Sequence, residues 1–266
     1  MPSVVLLRFA AAAAAFAAAL AAHGATVCAA HSPAGRQALV ELYTSEGCSS
    51  CPVADDWLAR QATAPSTLPI VPLALHVDYW DGPGWTDRFA QHGFAERQRT
   101  LAARAGGRFV YTPEVAVGGR EFGDWRDAAA FGRRVRALAA EPSPVGLALT
   151  AHAQASTLDV ALDVTRRAAT ADPLAAYVAL YENALVSEVR GGENRGATLH
   201  HERVVRVWRG PYVVSAAVTP AGAPQRVAER IALPDGATAA HTGIAAFVED
   251  MVTGDVVQAL DLPSCG

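Results

Sequence analysis

Lysine is absent from this 266-residue sequence, and all 22 basic residues are arginine. Schiff-base catalysis, pyridoxal phosphate attachment and a phosphate-loop lysine are thereby excluded, because each needs an ε-amine. Positive charge is in deficit as well. The 26 acidic residues outnumber the basic ones and leave a formal charge of −4. That balance lacks the basic footprint of phosphate neutralisation, so no nucleic acid partner is expected. Cysteine is scarce, with four residues. Two of them form a C-x-x-C, and the other two, Cys28 and Cys265, lie near the ends of the chain. Long apolar runs are few. The exception is the alanine-rich stretch from Phe9 to Ala22, which follows a single Arg8 in the charged-then-apolar order of a secretory signal. His23 and Gly24 interrupt it short of the roughly 20 residues a membrane span requires. We therefore expect a signal peptide over residues 1–24, no membrane span after its cleavage, and a periplasmic or secreted protein. Cleavage after Ala29 is the alternative, and it would remove Cys28.

What is present is enough apolar material, 51% of residues, for one large core or two modest ones. From Ala38 to Thr44 the sequence reads ALVELYT, a run typical of a central strand and interrupted only by Glu41. A helix is expected to begin near Ser49 or Ser50, with Pro52 in its first turn, and IVPLALHV from Ile70 to Val77 supplies a second buried strand. A helix from Thr86 to about Ala105 follows. Then comes a hairpin turning at Gly118-Gly119, with Glu121 and Phe122 on the return, and a last helix with Trp125, Phe131, Val135 and Leu138 on one side. Beyond Pro142 and Pro144 the period changes to two. Strands are expected over Val145–Leu149, Leu158–Val164, Ala175–Glu182, Tyr212–Thr219, Arg226–Leu233, Ile244–Glu249 and Val256–Leu260, with a long polar loop over Val189–His201. The expected fold class is an α/β thioredoxin-like domain over residues 36–141, followed by a mostly antiparallel, sandwich-like β domain over 144–262.

The chemistry centres on Gly47-Cys48-Ser49-Ser50-Cys51-Pro52, in the context of strand, C-x-x-C and helix that a redox dithiol needs. Cys48 at the helix N-terminus is favoured as a thiolate and is read as the nucleophile, with Cys51 as the resolving thiol. A permanent structural disulfide and half of a zinc site are the alternatives. Thr112-Pro113 opens the later hairpin, where a cis proline would hold a backbone edge beside the dithiol. Glu41, the lone acid in its strand, is suited to take the proton of Cys51. His76 and Asp78 share a face at the end of the second strand, where they would tune the dithiol, bind metal or pair to hold the DYWDGPGW loop. Trp80 and Trp85, with Thr112, are candidate walls of a substrate groove. Glu193, Asn194, Arg195, His200 and His201 form a polar cluster of undefined role, in which the adjacent histidines would point to opposite faces of a strand.

The segments VELYTSEGCSSCPVADDWL, LHVDYWDGPGWTDRFA, RFVYTPEVAVGGR and GENRGATLHHERVVRVW resemble the bacterial domain-of-unknown-function family 1223, over roughly Ala38 to Trp208. The resemblance implies a secreted thioredoxin-like fold and a redox dithiol without a defined substrate. No Trp precedes Cys48, Ser-Ser separates the cysteines and Pro52 follows the second, all departures from thioredoxin itself. The sequence thus points to a periplasmic thiol-disulfide oxidoreductase that acts on a protein or small-molecule disulfide or dithiol and needs no cofactor. The alternatives are a copper carrier using Cys48, Cys51 and His76, or a binding module in which the dithiol is a fixed bridge. Cys28 and Cys265 are expected to pair as a structural disulfide.

Overall fold

All seven residues of ALVELYT are buried, and this run becomes β2 (Ala38–Thr44) of a sheet covered on both faces. In the computed structural model, which describes residues 27–63, 68–82, 84–216 and 223–264, it is preceded by β1 (Val27–His31). After β2 come α1 (Pro52–Thr63), β3 (Ile70–His76), α2 (His92–Arg104), β4 (Glu114–Val117) and α3 (Ala128–Ala139). The remaining elements are strands: β5 (Val145–Ala153), β6 (Thr157–Arg166), β7 (Leu174–Glu182), β8 (Leu185–Glu188), β9 (Thr198–His201), β10 (Val204–Val214), β11 (Gln225–Ala232), β12 (Thr242–Asp250) and β13 (Val256–Leu262). The expected signal peptide lies outside the described residues.

The strands do not sort into two halves. A seven-stranded sheet runs in the order β13-β12-β7-β10-β3-β2-β4, and a second sheet runs β1-β5-β6-β11. Only β2 with β3, and a single pair between β3 and β10, are parallel; every other pairing in these two sheets is antiparallel. This overturns the expected fold class. There is no clear thioredoxin-type α/β domain followed by a β domain; the molecule is mostly β and sandwich-like. The physical reason lies at the edge of β3. That strand is too apolar to leave open, and β10, from 130 residues later, covers it: Val204 pairs with Ala74, and the Ala74 N–H donates to the Arg203 carbonyl at 2.9 Å.

One face of the large sheet is covered by α2, which packs Phe94 and Leu101 onto Leu39, Tyr43, Ala245 and Phe247. The other face is shared. Towards β4 it carries α1 and α3, with Trp57, Leu58, Phe131 and Val135 packed on Val40 and Leu42. Towards β13 it carries the four-stranded sheet, with Leu149 and Leu162 against Leu180 and Ala246. Arg97 of α2 joins the two ends of the chain: its guanidinium donates to Glu41 of β2 at 2.6 Å and to Glu249 of β12 at 2.8 Å, and lies over the rings of Tyr177, Trp208 and Phe247.

Several boundaries differ from expectation for local reasons. The second helix starts at His92, since residues 86–91 form a loop that turns Asp87 inwards. The third starts at Ala128, where the Asp127 carboxylate accepts from the Ala129 and Ala130 N–H groups. The Gly118-Gly119 turn has both φ angles positive, as a two-residue hairpin turn demands, but its return side is a single bridge from Ala116 to Glu121. The expected strand at Tyr212–Thr219 begins earlier, at Val204. The expected loop at Val189–His201 contains β9, which pairs with β8.

Candidate functional site

The dithiol sits where β2 runs out. Cys48 lies in a turn, its N–H bonded to the Ser45 carbonyl at 3.2 Å, and the Cys51 carbonyl accepts from Ala54 and Asp55 as α1 begins. Cys48 and Cys51 form a disulfide with Cα atoms 5.4 Å apart. Both are buried, at 1% and 0% exposure, although Ser49 and Ser50 between them face solvent.

A strap formed by residues 189–197 is bonded to the turn that carries the dithiol. The Asn194 side-chain amide donates to the carbonyls of Glu46 and Cys48, at 2.9 and 2.8 Å. The Glu193 carboxylate accepts from both the N–H and the hydroxyl of Ser49, which holds it below the usual carboxylate range. Glycine is required where the strap passes Gly84: a Cβ on Gly191 would lie 1.9 Å from the Gly84 carbonyl oxygen. The polar stretch that sequence left without a role is therefore brought onto the dithiol. Its two histidines do alternate, with His200 exposed and His201 buried.

Beneath the dithiol lies a buried ionisable cluster. The His76 Nδ1–H donates to Asp87 at 2.7 Å, and both side chains are fully buried. Burial opposes the His76 charge, but Asp87 outweighs it, so the pKa of His76 is raised; burial likewise opposes ionisation of Asp87, and His76 prevails, lowering it. Asp87 also accepts from the Glu46 N–H at 2.9 Å. The His201 ring stands edge-on to that of His76, centroids 5.1 Å apart, and its Nε2 is 3.3 Å from Glu46 Oε1. Asp55, one helical turn after Cys51, faces the same cluster, and burial raises its pKa against the pull of His76 and His201. Asp55, Glu46 and Asp87 were missed from sequence. For Asp55 a signal existed, since the spacing of four from Cys51 puts both on one helix face.

The remaining candidates are placed as follows. Glu41 is not brought to the dithiol: it points to the opposite face of β2 from α1, bonded to Arg97 and accepting from the Tyr43 hydroxyl at 3.3 Å. His76 pairs with Asp87, and Asp78 bonds His92 at 2.8 Å, so the His76–Asp78 pair does not form. Trp80 donates its indole N–H to the Thr112 hydroxyl at 2.7 Å, and the Thr112-Pro113 bond is cis. Trp85 is half-buried and donates to Glu46 Oε2 at 3.2 Å. For the copper alternative, both sulfurs are engaged with each other and His76 Nδ1 with Asp87. Among the described residues no three His, Cys, Asp or Glu side chains are grouped as metal ligands. The Cys28–Cys265 pairing rests on Cys265, which lies outside the described residues.

Two solved structures share this architecture. A crystal structure of an Agrobacterium tumefaciens protein is 24% identical, with a TM-score of 0.62, covering 86% of this chain and 95% of that one. HBP35 of Porphyromonas gingivalis is 15% identical, also with a TM-score of 0.62, covering 86% of this chain and 76% of its own. At these identities the likeness is one of fold. No curated protein matches the chain. The sequence profile of the proteins of unknown function designated DUF1223 matches residues 39–249, most of the chain and all of the site built above, and the chain belongs to that family.

Proposed function

We propose that the protein is an exported thiol-disulfide exchange protein, active in the periplasm or outside the cell, in which Cys48 attacks and Cys51 resolves. The observation that carries this reading is the placement of the bridge. Its C-x-x-C joins the end of a buried strand to the start of α1, where the positive end of the helix dipole favours a Cys48 thiolate. In the reducing direction the Cys48 thiolate attacks a substrate disulfide, forming a mixed disulfide and expelling one substrate sulfur as a thiolate. Cys51 then attacks Cys48 Sγ, closes the bridge and expels the second substrate sulfur. Two electrons pass from the dithiol to the substrate. Trp80 and Thr112, joined by their hydrogen bond, stand as the wall against which substrate would lie, and Trp85 borders the far side of the strap.

The near-complete burial of both sulfurs favours a second reading, a fixed structural bridge inside a binding module. A redox titration separates the two. The exchange reading expects a potential above about −300 mV, the range of labile bridges, together with turnover of a disulfide substrate. A much lower potential without turnover would establish the structural bridge instead.

A further inference from the structure

A cavity of about 350 Å³, open to solvent, lies between the loop that carries Trp85 and Arg88 and the segment of β8 that leads to Arg190. Its volume falls within the range of small-molecule sites. Contacts already in place fix one wall against the other. Gly191 packs its backbone on the Gly84 carbonyl, at a position where a Cβ would lie 1.9 Å from the oxygen. Arg88 Nη2 donates to the Val186 carbonyl of β8 at 2.7 Å, and its guanidinium carbon stands 4.6 Å from the centroid of the Phe89 ring. The Trp85 indole N–H is held by Glu46 Oε2 at 3.2 Å. The cavity is therefore preformed, and a ligand entering it has few protein groups to order.

Donors and acceptors in these walls are unequally engaged. Both oxygens of Glu46 are taken, Oε2 by Trp85 and Oε1 by His201 at 3.3 Å, and its side chain is fully buried. Glu188 accepts from the Thr198 hydroxyl with both of its oxygens, at 2.9 and 3.0 Å. Arg88, by contrast, gives one nitrogen to Val186, and Arg190 is exposed with no hydrogen bond or ion pair among the described residues. A guanidinium presents five N–H donors in a planar fork and no acceptor, and the groups that match it are carboxylates and phosphates. We propose that this cavity binds a small molecule carrying a carboxylate or phosphate group, held by Arg88 and Arg190 with Trp85 as the apolar wall. The site does not depend on the exchange chemistry proposed above. Arg190 belongs to the strap of residues 189–197, so a ligand that joins it to Arg88 also ties the strap to the loop of residues 86–91.

The test is isothermal titration calorimetry of the oxidised protein with sodium succinate and, separately, with inorganic phosphate, the ionic strength being held constant with sodium chloride. One saturable site per chain is expected for at least one of the two probes, and the tighter of them tells a carboxylate ligand from a phosphate ligand. Arg190→Gln removes no contact among the described residues and is expected to leave the melting temperature unchanged. It should weaken binding roughly tenfold, the weight of a hydrogen bond to a charged group. Arg88→Gln should weaken it likewise. Hydrogen exchange in the presence of the bound probe is expected to slow in residues 84–90 and 185–197. Absence of saturable binding with both probes, or an unchanged affinity in folded Arg190→Gln, would overturn the site.

Discussion

Glu114, next to the cis proline, is buried, and its carboxylate accepts from the Gln98 amide at 2.7 Å. Burial, against the Gln98 hydrogen bond, pushes its pKa up to about 7. A carboxyl whose folded-state pKa exceeds its unfolded value holds its proton more tightly in the native state. Its contribution therefore falls as pH rises through the window from about 4.5 to about 7 and is constant above it. Glu114→Gln keeps the acceptor and removes the titration. Urea melts should show the variant more stable than the parent near pH 8 by about 1–3 kcal/mol, with the two converging near pH 4. An equal gap at both pH values would refute the assignment. The cysteines also make a prediction at this scale. Cys51→Ser should accumulate mixed disulfides with exported proteins, since Cys48 attacks and nothing resolves the product, and Cys48→Ser should trap none. Equal trapping by both variants, seen on non-reducing gels, would reverse the roles.

At the scale of elements, the segment from residue 189 to residue 197 is bonded to the turn that carries the bridge. Asn194→Ala leaves the Glu46 and Cys48 carbonyls without the side-chain donor they now share. The loss should cost about 1–2 kcal/mol and loosen the strap. Dithiothreitol is then expected to reduce the Cys48–Cys51 bridge several-fold faster than in the parent, followed by the appearance of two thiols. An unchanged reduction rate would show that the strap is not the barrier. The second element with a dual attachment is α2, whose Arg97 stands between Glu41 and Glu249, both buried. Arg97→Met would strand the Glu41 carboxylate in the interior, while Glu249 keeps its bond from Arg104, and breaking a buried ion pair from one side costs about 3–5 kcal/mol. Thermal and urea denaturation should report a loss of that order, and a loss below about 1 kcal/mol would contradict the geometry.

At the scale of the molecule, the seven-stranded sheet takes β2, β3 and β4 from one half of the sequence and β7, β10, β12 and β13 from the other. Unfolding should therefore be a single transition, with tryptophan fluorescence and far-ultraviolet dichroism superimposing. The fragment 36–141 by itself is expected not to fold, because the edge of β3 and the side of α2 that packs on Ala245 and Phe247 would be bare. A native-like fragment would refute this. Peptide mapping without reductant should recover Cys28 linked to Cys265 in any product that retains both.

What the sequence determined by itself was local. ALVELYT and IVPLALH read as buried strands because their apolar runs are nearly unbroken, Gly118-Gly119 as a turn because both positions take positive φ, and the C-x-x-C as a bridge because two spacers bring the sulfurs together. The split of the chain into an α/β unit and a β unit followed from strand order, and it failed because the pairing of β10 with β3 leaves no local trace. The same applies to Glu41. Its isolation in an apolar strand was visible, but the arginine that neutralises it lies 56 residues on, and which face of the sheet it takes is decided by packing. Asp55, Asp87, His201 and Asn194 come from four separate segments that meet only once the sheet has formed. Their convergence beneath and over the dithiol is a property of tertiary structure, since an ionisable side chain acquires its role from the burial and neighbours that other parts of the chain supply.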